Sequence, residues 1–248
     1  MLAYSQVHNL SQKSELAFKK FTMSAPVIVS ASSQATAEAL LRDARARRAT
    51  FPDERFHGFT ASVTFREDAQ TLSGRVTLKS VRDIACELPG ARAESVQWLQ
   101  SLLAMNIAHR LERTGGMPVP TDHPVRFAEG EENALGVKLV FEGDPLESSY
   151  RLQDGVITEV CRRMHGARFV ITTLEVVTTE DGRHLPKHYV VTYFDPETGR
   201  LASVAQYTEL YEKVGEMYLP SHIRVVEISH EKPTVRALDL RDLALLSD

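Results

Sequence analysis

The sequence predicts an α+β fold: one large, curved antiparallel β-sheet, a half-barrel, wrapped around one or two α-helices. Two observations carry this. From residue 123 onward almost every segment alternates apolar and polar residues, and short turns separate the segments with no helix between them. Such a run is an antiparallel meander. Before it lies one long helical segment, 91–113, in which Val96, Trp98, Leu99, Leu102, Leu103, Met105, Ile107 and Leu111 cover well over half the circumference. A helix on the outside of a domain shows a narrower stripe, so this one is expected to be buried on two sides.

The elements follow in order. SQATAEALLRDARARRA (33–49) is an amphipathic helix with Ser33 as expected N-cap and Leu40, Leu41 and Ala44 on one face. Arg42, Arg45, Arg47 and Arg48 load its last turns, where positive charge suits the helix dipole, and form an expected solvated basic face. GFTASVTF (58–65) and LSGRVTLK (72–79) alternate strictly and flank the turn REDAQT, which makes a hairpin. VRDIACEL (81–88) is a third strand, and Thr114-Gly115-Gly116 is the expected stop of the long helix.

Eight strands come next: HPVRFAEG, GVKLVFEG, LESSYRLQ, VITEVCRRMHG, RFVITTLEVVTTE, HYVVTYF, LASVAQYTELYEKV and SHIRVVEISH. The turns between them are built on Gly143, Gly155, Gly182 and Asp195-Pro-Glu-Thr-Gly199. The tail VRALDLRDLALLSD reads as a last strand, with a short helix as the alternative. Several middle strands are apolar on both faces: Tyr189, Val191 and Tyr193 stand against Val190 and Phe194. A sheet with one wet face would alternate cleanly, so part of the second face is expected to be covered by the helix, a ligand or a partner.

With 248 residues, 43% hydrophobic and 25% charged, the chain has ordinary globular composition and can bury a sizeable core. Residues 1–34 read as a flexible leader, with Met23 as an alternative start, and 35–248 as a single globular domain. The net charge of -4 gives no overall field toward nucleic acid or anionic lipid. No apolar run is long enough to span a bilayer, and the stretch APVIV is too short for a signal-peptide core. A cytoplasmic location is expected, with Cys86 and Cys161 as buried, unpaired thiols. A leader that addresses the chain elsewhere is the alternative.

YFDPETGR, a further strand, then YEKVGEMYLP and a strand beginning SHIRV carry a resemblance. A D-x-x-T-G turn followed by a W/Y-L-P-x-x-I motif resembles the C-terminal half of the lipoprotein-carrier fold, the group of the periplasmic lipoprotein chaperone and its mycobacterial lipid-binding relatives. The order of helix, three strands, long helix and meander resembles it too. The chain departs from that group in lacking a clear export signal. More specifically, LLRDARARRATFPDERFHGFTASVTF, LLAMNIAHR, VCRRMHGARFVITT and YFDPETG with YEKVGEMYLP resemble domain-of-unknown-function family 3386 over residues 35–246. That family implies no chemistry. The carrier fold implies a half-barrel that holds an apolar group.

Catalytic signatures are missing: there is no P-loop, dinucleotide glycine fingerprint, G-x-S-x-G elbow, H-E-x-x-H or C-x-x-C. His184 and His188 would stand about 13 Å apart on one strand, too far for one metal. Cys161 and His165 share a strand at the same spacing, which does not make a nucleophilic pair. His109 reads as a cationic partner of the helix dipole, and His57 as a turn residue. Glu129, Glu131 and Glu132 read as solvated, and Glu209 and Glu212 flank Tyr211 near a strand end. No metal or cofactor is therefore expected. Phe59, Phe65, Trp98, Tyr189, Tyr193 and Tyr207 are the candidate lining of an apolar ligand site, against the plainer reading that they are core. The expected function is a non-catalytic binding protein for an apolar or lipid-like ligand. The alternative is a structural or assembly factor that binds a protein partner or a second copy through an apolar sheet face. An enzyme built on a histidine is the third reading.

Overall fold

Fourteen elements are seen in the computed structural model, which describes residues 36–52, 54–111, 123–164, 167–229 and 233–247. The leader, Ser33, the Thr114-Gly115-Gly116 stop, and His165 with Gly166 lie outside the described residues. In chain order the elements are α1 (Ala37–Ala46), β1 (Phe59–Glu67), β2 (Gln70–Ser80), β3 (Asp83–Glu87), α2 (Ala93–Ala108), β4 (Val125–Phe127), β5 (Val137–Phe141), β6 (Ser149–Gln153), β7 (Val156–Met164), β8 (Ala167–Thr178), β9 (His184–Phe194), β10 (Leu201–Val214), β11 (Met217–Ile228) and β12 (Pro233–Leu245).

All twelve strands join one open, curved antiparallel sheet in the order β3-β2-β1-β12-β11-β10-β9-β8-β7-β6-β5-β4. The tail is a strand, as its alternation predicts, and it pairs with β1, Phe65 opposite Leu238. This pairing joins the first hairpin to the end of the meander. The D-P-E-T-G turn is held by Asp195, whose Oδ1 accepts from the Thr198 amide at 2.7 Å and its hydroxyl at 2.8 Å. Gly199 then takes a φ of 67°, which a side chain would resist. Gly74 has another reason to lack a side chain: a Cβ there would stand 1.9 Å from the Glu87 carbonyl oxygen on β3.

The helices lie on one face of the sheet and build two core clusters. Leu99, Leu102, Leu103 and Ile107 of α2 pack on Phe59, Val63 and Phe65 of β1 and on Leu219, Ile223, Leu238 and Leu240 of β11 and β12. Ala37, Leu41 and Ala44 of α1 pack on Leu139, Phe141, Tyr150 and Leu152 of β5 and β6. Burial at about 25 cal/mol per Å² of apolar surface is what holds each helix to the sheet. α2 is not buried on two sides, because Glu94, Gln97, Ser101 and Met105 form a stripe facing outward. The sheet covers the face of Ser95, Leu99, Leu102, Leu103, Asn106 and Ile107.

The N-cap of α1 is Thr36 and not Ser33: its hydroxyl accepts from the Ala39 amide at 3.1 Å. The basic face is only partly solvated. Arg42, Arg47 and Arg48 are exposed, but Arg45 turns inward and its Nη2 is buried. α2 starts without a side-chain cap on Arg92. The buried Glu67 carboxylate ties this end down through side chains, accepting from Ser95 Oγ at 2.6 Å, Arg92 at 2.7 Å and Arg236 at 2.6 Å. A carboxylate at a helix N-terminus also meets the positive end of the dipole. Cys86 and Cys161 are free and half-buried. Among the described residues no helix is long and apolar enough to cross a membrane.

Candidate ligand site on the helix side of the sheet

From the edge of the first cluster, which includes Val191 and Tyr207, toward the second, β7 to β10 present a strip of the helix-side face. Strand alternation places Val160, Arg162, Phe169, Ile171, Tyr189, Val191, Tyr193 and Tyr207 there. The register confirms their neighbours: Arg162 faces Phe169, Phe169 faces Tyr193, and Tyr189 faces Tyr207. Tyr189 and Tyr207 stack with centroids 4.6 Å apart and planes 3° from parallel. Phe169 and Tyr193 meet at 6.3 Å. Phe169 is buried but belongs to neither core cluster, and Tyr193 is 40% exposed.

A buried polar group closes one end of the strip. Glu209 on β10 is 1% exposed. It accepts from Tyr189 at 2.6 Å and from Asn106 Nδ2 of α2 at 2.8 Å, and it lies 2.5 Å from the Tyr211 hydroxyl. The Tyr211 hydroxyl also lies 2.6 Å from the Pro186 carbonyl oxygen. One hydroxyl has one proton and cannot donate to both. Both contacts are satisfied when Glu209 carries the proton and donates to Tyr211, which then donates to Pro186. Burial favours the same state by pushing the Glu209 carboxyl above its ordinary range, against its three hydrogen bonds and the charge of Arg110.

Arg110 follows α2 and is itself buried. Its Nη1 donates to the Tyr218 carbonyl at 2.7 Å, and its guanidinium lies 4.0 Å over the Phe51 ring. Burial lowers its pKa to about 10, so it stays cationic at neutral pH.

Around Tyr150, three arginines gather. The Arg162 guanidinium, on a residue 4% exposed, donates from Nη2 to the Tyr150 hydroxyl. Arg45 reaches the same ring from α1, 5.8 Å from its centroid. Arg48 Nη2 donates to the His109 carbonyl at 2.6 Å, closing the C-terminus of α2. His109 is not a cationic dipole partner. Burial, then the charges of Arg48 and Arg162, push it down to about 4, so the ring is neutral at pH 7.

The six residues predicted to line a ligand site fall into two groups. Phe59 and Phe65 are fully buried beneath α2, and Trp98 lies 5.9 Å from Phe65 with Arg236 over its indole at 4.9 Å. Tyr189, Tyr193 and Tyr207 stand together on β9 and β10. None of the six lines either of two open depressions, one of about 360 Å³ around Lys138, Ser149, Cys161 and Arg168 and one of about 190 Å³ around Gln153 and Leu174. Reading by apolar character missed Asn106, Arg110, Arg45 and Arg162. The signal was present: Arg110, just past the end of α2, is four residues on from Asn106 and continues its apolar face, and Arg162 is in phase with Val160. His188 meets Glu175 at 2.7 Å, while His184 Nδ1 is buried without a partner. Among the described residues no group of metal-ligating side chains forms.

The family model described as "Protein of unknown function (DUF3386)" matches residues 32–246. The chain belongs to this family. No match was found among curated proteins. For this DUF3386 member, solved structures give distant likenesses. One is a LolA superfamily protein from Nitrosomonas europaea, 12% identical with a TM-score of 0.35, covering 87% of this chain and 96% of that one. A putative outer membrane lipoprotein-sorting protein domain from Vibrio parahaemolyticus is 10% identical with a TM-score of 0.34, covering 86% and 92%. A DUF1329 family protein from Desulfovibrio piger is 9% identical with a TM-score of 0.28, covering 86% and 95%.

Proposed function

We propose that this DUF3386 member is a non-catalytic binding protein for an apolar or lipid-like ligand held on the helix-side strip of β8 to β10. The observation that carries this is the Phe169–Tyr193 pair. It lies on the face where the helices build the core, yet outside both core clusters, and Tyr193 keeps 40% of its surface open. An open aromatic beside a stacked tyrosine pair offers apolar area with a polar rim, the usual composition of a small-molecule site. In this reading Tyr189, Tyr193 and Tyr207 touch the ligand, while Phe59, Phe65 and Trp98 fix α2 and the strand frame. Native mass spectrometry of the freshly purified chain, followed by organic extraction, tests it. A near-stoichiometric apolar adduct is the expected result. A clean unliganded mass, with no uptake of added long-chain alcohol, contradicts it.

A second reading rests on the opposite face. Leu201, Ile228 and Val235 are exposed there in neighbouring strands. A row of this kind favours a protein partner or a second copy. Sedimentation that shows a concentration-dependent dimer, abolished by Ile228→Lys, would support it.

A further inference from the structure

The gap between the two core clusters collects cations without collecting anions. Arg45 and Arg162 converge on Tyr150, with guanidinium carbons 5.8 and 5.6 Å from its ring centroid. Arg48 and His109 adjoin them, joined by the hydrogen bond from Arg48 to the His109 carbonyl. Among the described residues no carboxylate pairs with Arg45, Arg48 or Arg162. The nearby acids are taken: Glu159 pairs with Arg151 at 3.3 Å and Glu147 with Arg163 at 3.4 Å. Arg45 Nη2 and Arg162 Nε are buried with no acceptor. Buried charges are normally paired and buried N–H groups bonded. Two guanidiniums sharing one phenol satisfy neither rule. What completes the arrangement is an acceptor with negative charge and several lone pairs, which planar guanidinium forks recognise best.

We infer that Arg45 and Arg162, with Tyr150 between them and Arg48 alongside, form an oxyanion site that takes the acidic head of the ligand whose chain lies on the Phe169–Tyr193 strip. Arg162 and Phe169 are direct register partners on β7 and β8, so head site and apolar strip are contiguous. The ligand class is then a long-chain carboxylate or another amphiphile with an oxyanion head. The chain's part in this rests on the binding reading above; the oxyanion's part does not.

Calorimetric titration of the full-length chain tests it, with three probes: oleate below its micelle threshold, oleyl alcohol and inorganic phosphate. The variants are Arg45→Gln, Arg45→Lys and, as a surface control, Arg42→Gln, each checked for an unchanged melting profile. Oleate is expected to bind about ten-fold or more tighter than oleyl alcohol. Arg45→Gln should weaken oleate by about that factor and leave oleyl alcohol alone, while Arg45→Lys, which keeps the charge but not the fork, recovers only part of the affinity and Arg42→Gln keeps all of it. Phosphate that binds, competes with oleate and loses affinity in Arg45→Gln supports the oxyanion site even if oleyl alcohol never binds, in which case the apolar reading alone fails. Equal binding of acid and alcohol, indifferent to Arg45→Gln, overturns the oxyanion site and leaves the apolar reading standing. Binding of neither oleate nor phosphate also overturns it.

Discussion

The Tyr211 hydroxyl lies 2.5 Å from a Glu209 carboxyl oxygen and 2.6 Å from the Pro186 carbonyl, a pair of contacts that one proton on Glu209 reconciles. A protonated Glu209 is mimicked by glutamine. The Asn106 Oδ1 atom, buried without a partner, can turn to accept from the new amide. Glu209→Gln is therefore expected to stay within about 1 kcal/mol of wild type at neutral pH, whereas Glu209→Ala strands the Tyr189 and Asn106 donors, leaves a cavity and loses about 3 kcal/mol. The sign of the pH effect follows from the raised carboxyl. Its contribution is fully present below the ordinary value of 4.5 and is lost as pH rises through the folded value. Urea denaturation across pH should show wild type losing ground to Glu209→Gln as pH rises.

Glu67 has the opposite sign. Burial alone would raise it, but hydrogen bonds from Ser95, Arg236 and Arg92 prevail and hold its carboxyl at about 2. A depressed carboxyl contributes stability above its ordinary value of 4.5 that is lost as pH falls toward 2. Glu67→Gln should cost about 2 kcal/mol at pH 7 and flatten the acid limb of the stability profile between those values. Chemical denaturation at several pH values measures both.

His109 adds a second acid-sensitive step. Its pKa of about 4, against an ordinary 6.5, means that neutral imidazole is what the fold accommodates. Stability from this group is complete above 6.5 and is lost as pH falls toward 4. An NMR titration should find the low midpoint in the free protein. Oleate bound beside Arg48 and Arg162 should move that midpoint upward, because an anion offsets the cations that depress it.

Gly74→Ala forces a methyl against the Glu87 carbonyl, 1.9 Å from the new Cβ, and should push β3 off β2. A loss of about 1–3 kcal/mol is expected in urea denaturation, as for other overpacked sites. Amide exchange should rise on β3 and leave β9 and β10 unchanged.

The strands were legible because period-two alternation and Gly- or Asp-based turns are local signals. The D-P-E-T-G turn and the tail strand illustrate this, and both form as read. The pairing of β1 with β12 was not legible, since no local residue encodes a contact across more than 170 positions. Apolar character alone gathered Phe59, Phe65 and Trp98 with Tyr189, Tyr193 and Tyr207, although α2 seals the first three into the frame. Arg45 looked like part of a solvated helix end because helix-end arginines normally are. Only the approach of Tyr150 from β6 turns it inward. Glu209 read as a strand-end acid, because burial depends on where α2 lies and not on neighbours in sequence.

Apolar binding on the helix-side strip is read most directly by photolabelling of the full-length chain with a diazirine-bearing long-chain alcohol, followed by peptide mass spectrometry. Adducts are expected on β8 to β10 at Phe169, Ile171 and Tyr193, reduced in a Tyr193→Asp variant that keeps its melting temperature. Adducts confined to Leu201, Ile228 and Val235 on the opposite face, or no saturable labelling, would contradict it.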